Sequence, residues 1–223
     1  MTFSLIGRCA RTGQFGMVIS SSSPAVAARC AHVRAGVGAV ASQNITDPAL
    51  GPLLLDRLAA GATAVQALAE VTTGRAFVDY RQLLVIDAAG STAIHSGRQV
   101  LGVWGQAQST DCAAGGNLLA NDTSPAAMVA AFQAATGHLG DRLMVALLAG
   151  LEAGGEAGPV HSAGMKIADK LDWPLVDLRI DWSETPIQDL ATAWEVYRPQ
   201  LGAYVQRALD PTEAPSYGVP GDE

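Results

Sequence analysis

The sequence predicts a layered α+β fold in which helices cover both faces of mostly antiparallel sheets. Three observations carry this expectation. The chain has 223 residues and is 49% hydrophobic, enough to bury a sizeable core. Its apparent elements run in the order strands, helix pair, strands, helix pair, strands, helix, with no internal repeat and no linker dividing the core. Aromatic residues make up 5% while glycine reaches 24, which points to a small-residue core with close layers and many sharp turns. One domain over residues 1–209 is expected, followed by a flexible tail at 210–223 rich in Pro, Gly and acid.

The first strand is expected to begin at residue 2. Phe3 and Leu5 share one face, Ser4, Ile6 and Arg8 the other, and Arg11-Thr12-Gly13-Gln14 supplies turn chemistry before Phe15–Ser20 returns. A third strand is expected in AGVGAVASQN, and a second hairpin in RQLLVIDAAGSTAIHSG, with Leu83 to Asp87, a turn at Ala88 to Gly90 and a return through Ile94. Helix starts carry a polar cap followed by proline at Ser23-Pro24, Asp47-Pro48, Ser124-Pro125 and Thr185-Pro186. One helix pair has Leu50 to Leu58 ended by Gly61, then Val65 to Ala69 ended by Gly74. The other spans Ser124 to Thr136 and Asp141 to Ala153. Two short strands follow in AGMKIAD and LVDLRIDW, then a long helix from Thr185 to about Arg207, interrupted at Pro199. Its Leu190, Trp194, Tyr197, Leu201 and Tyr204 either pack on their own domain or offer a homo-oligomer surface.

Charge narrows the partners. Lys and Arg total 14 against 21 acids, a net charge of -7, so neither nucleic acid nor an anionic membrane is an expected partner. No apolar stretch approaches a membrane span and no leader-like segment opens the chain, so a cytoplasmic location is expected. Cys9, Cys30 and Cys112 are odd in number and widely spaced, and read as small buried hydrophobes. His32, His95, His138 and His161 show no metal-ligand spacing, so no metal site is expected.

Met1-Thr2 carries a nucleophile and a latent base in one residue. Removal of Met1 leaves Thr2 with a hydroxyl and a free α-amine, whose ordinary pKa of roughly 7.7 to 8.0 leaves a neutral fraction near pH 7 to take the hydroxyl proton. Taken alone, the dipeptide is also just an ordinary chain start. In AAGGNLLAN, Gly116 and Asn117 can face a developing oxyanion, or mark a strand-edge bulge or turn. Ser42, Gln43 and Asn44 are uncharged donors and acceptors suited to a neutral polar ligand such as an amide, or to satisfying a loop. Arg81 at a strand start can orient a carboxylate or lie on the surface.

Competing chemistries lack their patterns. His161-Ser162 and His95-Ser96 are adjacent on strands and point to opposite faces, which argues against a direct His/Ser pair. There is no GxSxG and no HExxH, the SSSS run at 20–23 is no phosphate loop, and GRQVLGVWGQ is no dinucleotide fingerprint. No cofactor is expected.

MTFSLIGRC, TGQFGMVIS, VRAGVGAVASQN, LGPLLLDRLAAG, RQLLVID and GGNLLAN together resemble, in order, the family catalogued as domain of unknown function 1028. The resemblance covers roughly residues 2–182. That family is placed among the N-terminal-nucleophile hydrolases, so the resemblance implies a four-layer αββα sandwich and Thr2 as nucleophile. The chain departs from it at Val160-His161, where relatives tend to carry Arg-Gln, and at His95-Ser96-Gly97. His161 thereby becomes a candidate substrate-binding residue.

The function expected is an amidohydrolase for a small non-peptide or peptide-like amide. Thr2 attacks, Gly116 and Asn117 hold the oxyanion, and Ser42, Gln43, Arg81 and His161 position the substrate. The alternative is a non-catalytic metabolite-binding or assembly module with Met1 retained.

Overall fold

A computed structural model describes residues 1–219. The N-terminal hairpin joins β1 (Thr2–Arg8) to β2 (Phe15–Ser21), with Gly13 at a φ of 79° that favours glycine in the turn. α1 (Val26–Cys30) leads into β3 (Ala31–Arg34) and β4 (Gly38–Asn44), then α2 (Leu50–Ala59) and α3 (Ala64–Thr72). Four strands follow: β5 (Arg81–Asp87), β6 (Thr92–Ser96), β7 (Gly105–Ser109) and β8 (Cys112–Asn117). The rest is α4 (Ser124–Ala134), α5 (Leu139–Glu152), β9 (Ser162–Ala168), β10 (Val176–Ile180), α6 (Pro186–Tyr197) and α7 (Leu201–Leu209).

These strands form two antiparallel sheets. One has six strands in the order β10-β9-β2-β1-β8-β7, the other four in the order β3-β4-β5-β6. Alternation along each strand sorts the side chains into layers. Phe3, Leu5 and Val18 leave one face of the large sheet to meet Phe132, Leu143 and Leu147 of α4 and α5, with Trp194 of α6 in the same cluster. Val40, Leu83 and Val85 leave the small sheet to meet Leu54, Leu58 and Leu68 of α2 and α3. Between the sheets lie Ile6, Met17, Ile19, Ala39, Ala41, Leu84 and Ile86, with α1 packed into the same layer through Val26 and Cys30. The result is the four-layer αββα sandwich. Its layers come close because small residues face large ones: a Cβ on Gly7 would sit 2.6 Å from the Phe132 ring.

Several elements differ from their sequence-based expectation. The AAGGN part of AAGGNLLAN is neither a turn nor a sheet edge, because β8 pairs with β1 on one side and β7 on the other; the chain bends only after it, at Leu118, whose φ is 51°. Its missing side chains are what admit its neighbours: a Cβ on Gly115 would lie 3.2 Å from Leu84, and one on Gly116 2.8 Å from Leu119. β3 and β7, short and half polar, were not expected as strands and are held by pairing with β4 and β8. Of the four X-Pro helix starts, Pro125 and Pro186 do lie in the first helical turn. Pro24 and Pro48 instead precede their helices: Ala25, in the left-handed region, separates Pro24 from α1, while Asp47 Oδ1 accepts from Ala49 N at 3.1 Å ahead of α2. α5 begins at Leu139 rather than Asp141, because the His138 ring caps it by accepting from Gly140 N at 3.1 Å.

The last helix breaks where Pro199 predicts, with a 3-10 turn over Arg198–Gln200 separating α6 from α7. Leu190 and Trp194 are buried in the domain's own core, while Tyr204 remains more exposed. In the expected tail, Pro211–Glu213 form a 3-10 turn and Arg207 lies 3.7 Å over the Tyr217 ring, so this part folds back on α7. Residues 220–223 of that tail lie outside the described residues. Among the described residues, no helix is long and apolar enough to cross a membrane.

Candidate functional site

The inter-sheet layer is apolar along most of its length and polar at one end. β1 contributes Thr2 and Ser4 in the same alternation as Ile6, and β2 contributes Ser21 in phase with Met17 and Ile19. From β8 comes Asn117, in phase with Ala113, and from the opposite sheet come Gln43 and Gln82, in phase with Ala41 and Leu84. All six side chains are buried. A buried polar group needs partners, and these supply them to one another.

A chain of hydrogen bonds crosses from sheet to sheet. Ser4 Oγ donates to Gln43 Oε1 at 2.6 Å, Gln43 Nε2 donates to Gln82 Oε1 at 2.8 Å, and Asn117 Nδ2 donates to the same oxygen at 3.2 Å. Gln82 Nε2 reaches the carbonyls of Gly105 at 3.4 Å and Gly116 at 3.3 Å. Carbonyls only accept, so Gln82 can sit one way round, and that fixes Gln43 and Asn117 in turn. Asn117 Oδ1 is left buried with no hydrogen-bond partner among the described residues.

Thr2 stands beside this chain. It pairs with Asn117 across the β1–β8 ladder, and its Oγ1 lies 3.3 Å from Ser21 Oγ. Both hydroxyls donate to the carbonyl oxygen of Met1. Ser21 Oγ continues to Ser23 Oγ at 2.9 Å, and Arg29 Nη2 donates to Ser23 Oγ at 3.1 Å.

The segment after α5 roofs this end. Glu156 forms a bridge with Leu119, just beyond β8, and both its carboxylate oxygens accept from Ser22 N, just beyond β2, at 3.2 Å. β1 runs between β8 and β2, so Glu156 spans the end of the strand that begins with Thr2. Its carboxyl is buried and pushed up to about 7 by desolvation, against the opposing pull of the Met1 amino group and the Ser22 hydrogen bonds.

The structure brings together three of the residues singled out in the sequence: Thr2, Gln43 and Asn117. Gly116 adjoins them through its carbonyl, while the side-chain direction of its Cα faces Leu119 and Phe3 on the helical side. Ser42 and Arg81 fall one residue out of phase and leave the opposite face of the small sheet. Ser42 Oγ donates to Asp47 O at 2.9 Å, and Arg81 Nη1 donates to Ile45 O. His161 reaches the site through its backbone, donating to Ser21 O at 2.8 Å, but its ring stacks on Trp182 at 4.4 Å and meets Ser183 O at 3.3 Å. His95 Nε2 lies 3.1 Å from Val78 O. Sequence reasoning missed Ser4, Ser21, Gln82 and Glu156. Ser21 and Gln82 share a readable signal, a polar residue at the inward phase of an otherwise apolar strand; Glu156 sits in an irregular loop and had none.

Two antiparallel sheets between helical layers, with a hydroxyl residue opening a central strand against a buried polar cluster, define an αββα sandwich with its candidate site at one end of the inter-sheet layer. Residues 2–190 match the model of the family of unknown function DUF1028, and the chain belongs to that family. A crystal structure of a DUF1028 protein from Silicibacter pomeroyi is 27% identical, with 92% of this chain and 90% of that chain covered and a TM-score of 0.85. Anbu, the ancestral beta-subunit from Yersinia bercovieri, is 13% identical over 91% of this chain and 97% of its own, with a TM-score of 0.39. No curated protein matches the chain.

Proposed function

We propose that the protein is an amidohydrolase whose nucleophile is Thr2 after removal of Met1, acting on a small C–N amide without a cofactor. The observation that carries this reading is the setting of Thr2 Oγ1: it ends a central strand, beside Ser21 and opposite an Asn117 whose Oδ1 has no hydrogen-bond partner among the described residues. Removal of Met1 turns the Thr2 nitrogen into an amine and frees the space its carbonyl occupies. The amine takes the hydroxyl proton as Oγ1 bonds to the substrate carbonyl carbon. Ser21 Oγ, which already donates to the Met1 carbonyl, and the second N–H of Asn117 Nδ2 stabilise the oxyanion. The C–N bond then breaks as the leaving amine receives the proton, and water hydrolyses the resulting ester with the α-amine again as base.

The test is covalent. Protein with Thr2 first in the chain should be labelled by a β-lactone at Thr2, and Thr2→Ala should lose both labelling and turnover while unfolding near the wild-type temperature. Labelling that survives Thr2→Ala would put the nucleophile elsewhere.

A second reading has its own observation. With Met1 in place the Thr2 nitrogen is an amide, the residue is 5% exposed, and its hydroxyl is engaged by the Met1 carbonyl. That state suits a non-catalytic metabolite-binding or assembly module. Intact mass of the untagged protein from cells separates the two, since a population wholly retaining Met1 supports the module.

A further inference from the structure

We infer that Glu156 anchors a positively charged amine on the acyl side of the substrate, so that the amides this site takes are those of α-amino acids with a free amino group. The inference rests on the proposed role of Thr2. Its first support is an unpaired buried acid: Glu156 is 6% exposed, its carboxylate accepts from Ser22 N, and it forms no ion pair among the described residues. A buried carboxylate without a cation is costly, and a ligand that brings the cation relieves that cost.

Its second support is position. Glu156 touches the chain just beyond β8 through Leu119 and just beyond β2 through Ser22, and so lies over the intervening end of β1. An amine held there is within a short substituent's reach of a carbonyl carbon attacked by Thr2.

The third is Met1 itself, an α-aminoacyl group joined to Thr2. Its carbonyl oxygen is held by Thr2 and Ser21, and its amino group is felt electrostatically by Glu156. Its side chain lies against the chain at Gly158, with Cε 3.6 Å from where a Cβ there would stand, an ordinary contact distance. An aminoacyl amide entering after Met1 leaves would keep the Ser21 contact to its carbonyl oxygen and turn its amine toward Glu156, with the acyl carbon now approached by Oγ1.

The experiment uses the full chain released from a cleavable tag so that Thr2 comes first, as verified by mass. L-methionine p-nitroanilide and its N-acetyl counterpart are compared as substrates, and L-methioninamide and N-acetyl-L-methioninamide as ligands in calorimetry. The free amine should be preferred by at least about tenfold in kcat/KM and in affinity, and Glu156→Gln should abolish the preference. Glu156→Asp, which keeps the charge on a shorter arm, should retain part of it and serves if the glutamine variant fails to fold. Equal handling of free and acetylated amides, a preference that survives Glu156→Gln, or no binding of either ligand would overturn the anchor. Selective binding without turnover or β-lactone labelling would leave the anchor standing and sink the hydrolase. Labelling and turnover with no amine preference would do the reverse.

Discussion

Asn117 faces Thr2 directly across the β1–β8 ladder, and the two residues differ in how fully they are satisfied. Thr2 donates its hydroxyl hydrogen, whereas Asn117 gives one N–H to Gln82 and leaves its Oδ1 without a partner among the described residues. An orphan acceptor at 1% exposure is an unusual thing for a fold to keep beside a hydroxyl residue. If the remaining N–H serves an oxyanion, Asn117→Ala should lower kcat by roughly 10²–10³ with KM little moved. Steady-state kinetics on the protein with Thr2 first check this. A change confined to KM would assign Asn117 to ground-state binding instead.

Gln82 should matter more to stability than to any single catalytic step. Gln82→Leu strips partners from Gln43, Asn117 and the Gly116 carbonyl together. Stranding buried polar atoms costs about 1–3 kcal/mol each, so the variant should lose at least about 2 kcal/mol in urea unfolding. Gln82→Glu should also lose stability near neutral pH, since a carboxylate cannot donate to the Gly105 and Gly116 carbonyls.

Glu156 gives the site a pH signature. Its carboxyl moves from 4.5 to about 7 because burial disfavours the charged form. The folded state therefore binds the proton more tightly than the unfolded state does. That contribution to stability is fully present below pH 4.5, is lost as the pH rises from 4.5 through about 7, and changes no further above that. Its size is at most about 3 kcal/mol. Against Glu156→Gln, the wild type should lose relative stability across this window, as read by urea midpoints at a series of pH values. A difference independent of pH would mean that the carboxyl titrates near its ordinary value.

The order of strands and helices was legible because alternation and turn residues mark it locally, as in β1, β2, β5 and β6. β8 was not, because CAAGGN carries little β propensity and becomes a strand through its two neighbours. The same distinction governs the site. Thr2 and Asn117 stand out by residue type, but that Gln43 is inward and Ser42 outward follows from the phase of β4, which one residue of slip would reverse. Ser42 was therefore read as a neighbour of Gln43 in space when it is a neighbour only in sequence. Glu156 lay beyond reach for another reason: its place over β1 depends on where α5 ends, which no local pattern fixes.

The contact between α5 and α6 offers a test of the outer layer that does not involve the site. Trp194 is 1% exposed, and its Nε1 donates to Asp141 Oδ1 at 2.9 Å, which pins the indole against the first turn of α5. Gly140 is what lets it lie there, since a Cβ at that position would stand 2.3 Å from the indole ring. In a helix, alanine normally gains on glycine by about 0.8–1.0 kcal/mol. Here the clash outweighs that gain, because both the ring and the helix backbone are fixed by packing, and overpacking costs roughly 1–3 kcal/mol. Gly140→Ala should thus destabilise the protein, while Gly202→Ala in α7, whose added Cβ would meet nothing within 4 Å among the described residues, should be neutral or stabilising. Thermal unfolding of the two variants decides the matter. Stabilisation by Gly140→Ala would show that α6 can shift away from α5 at little cost, and that Trp194 does not fix the helix in place.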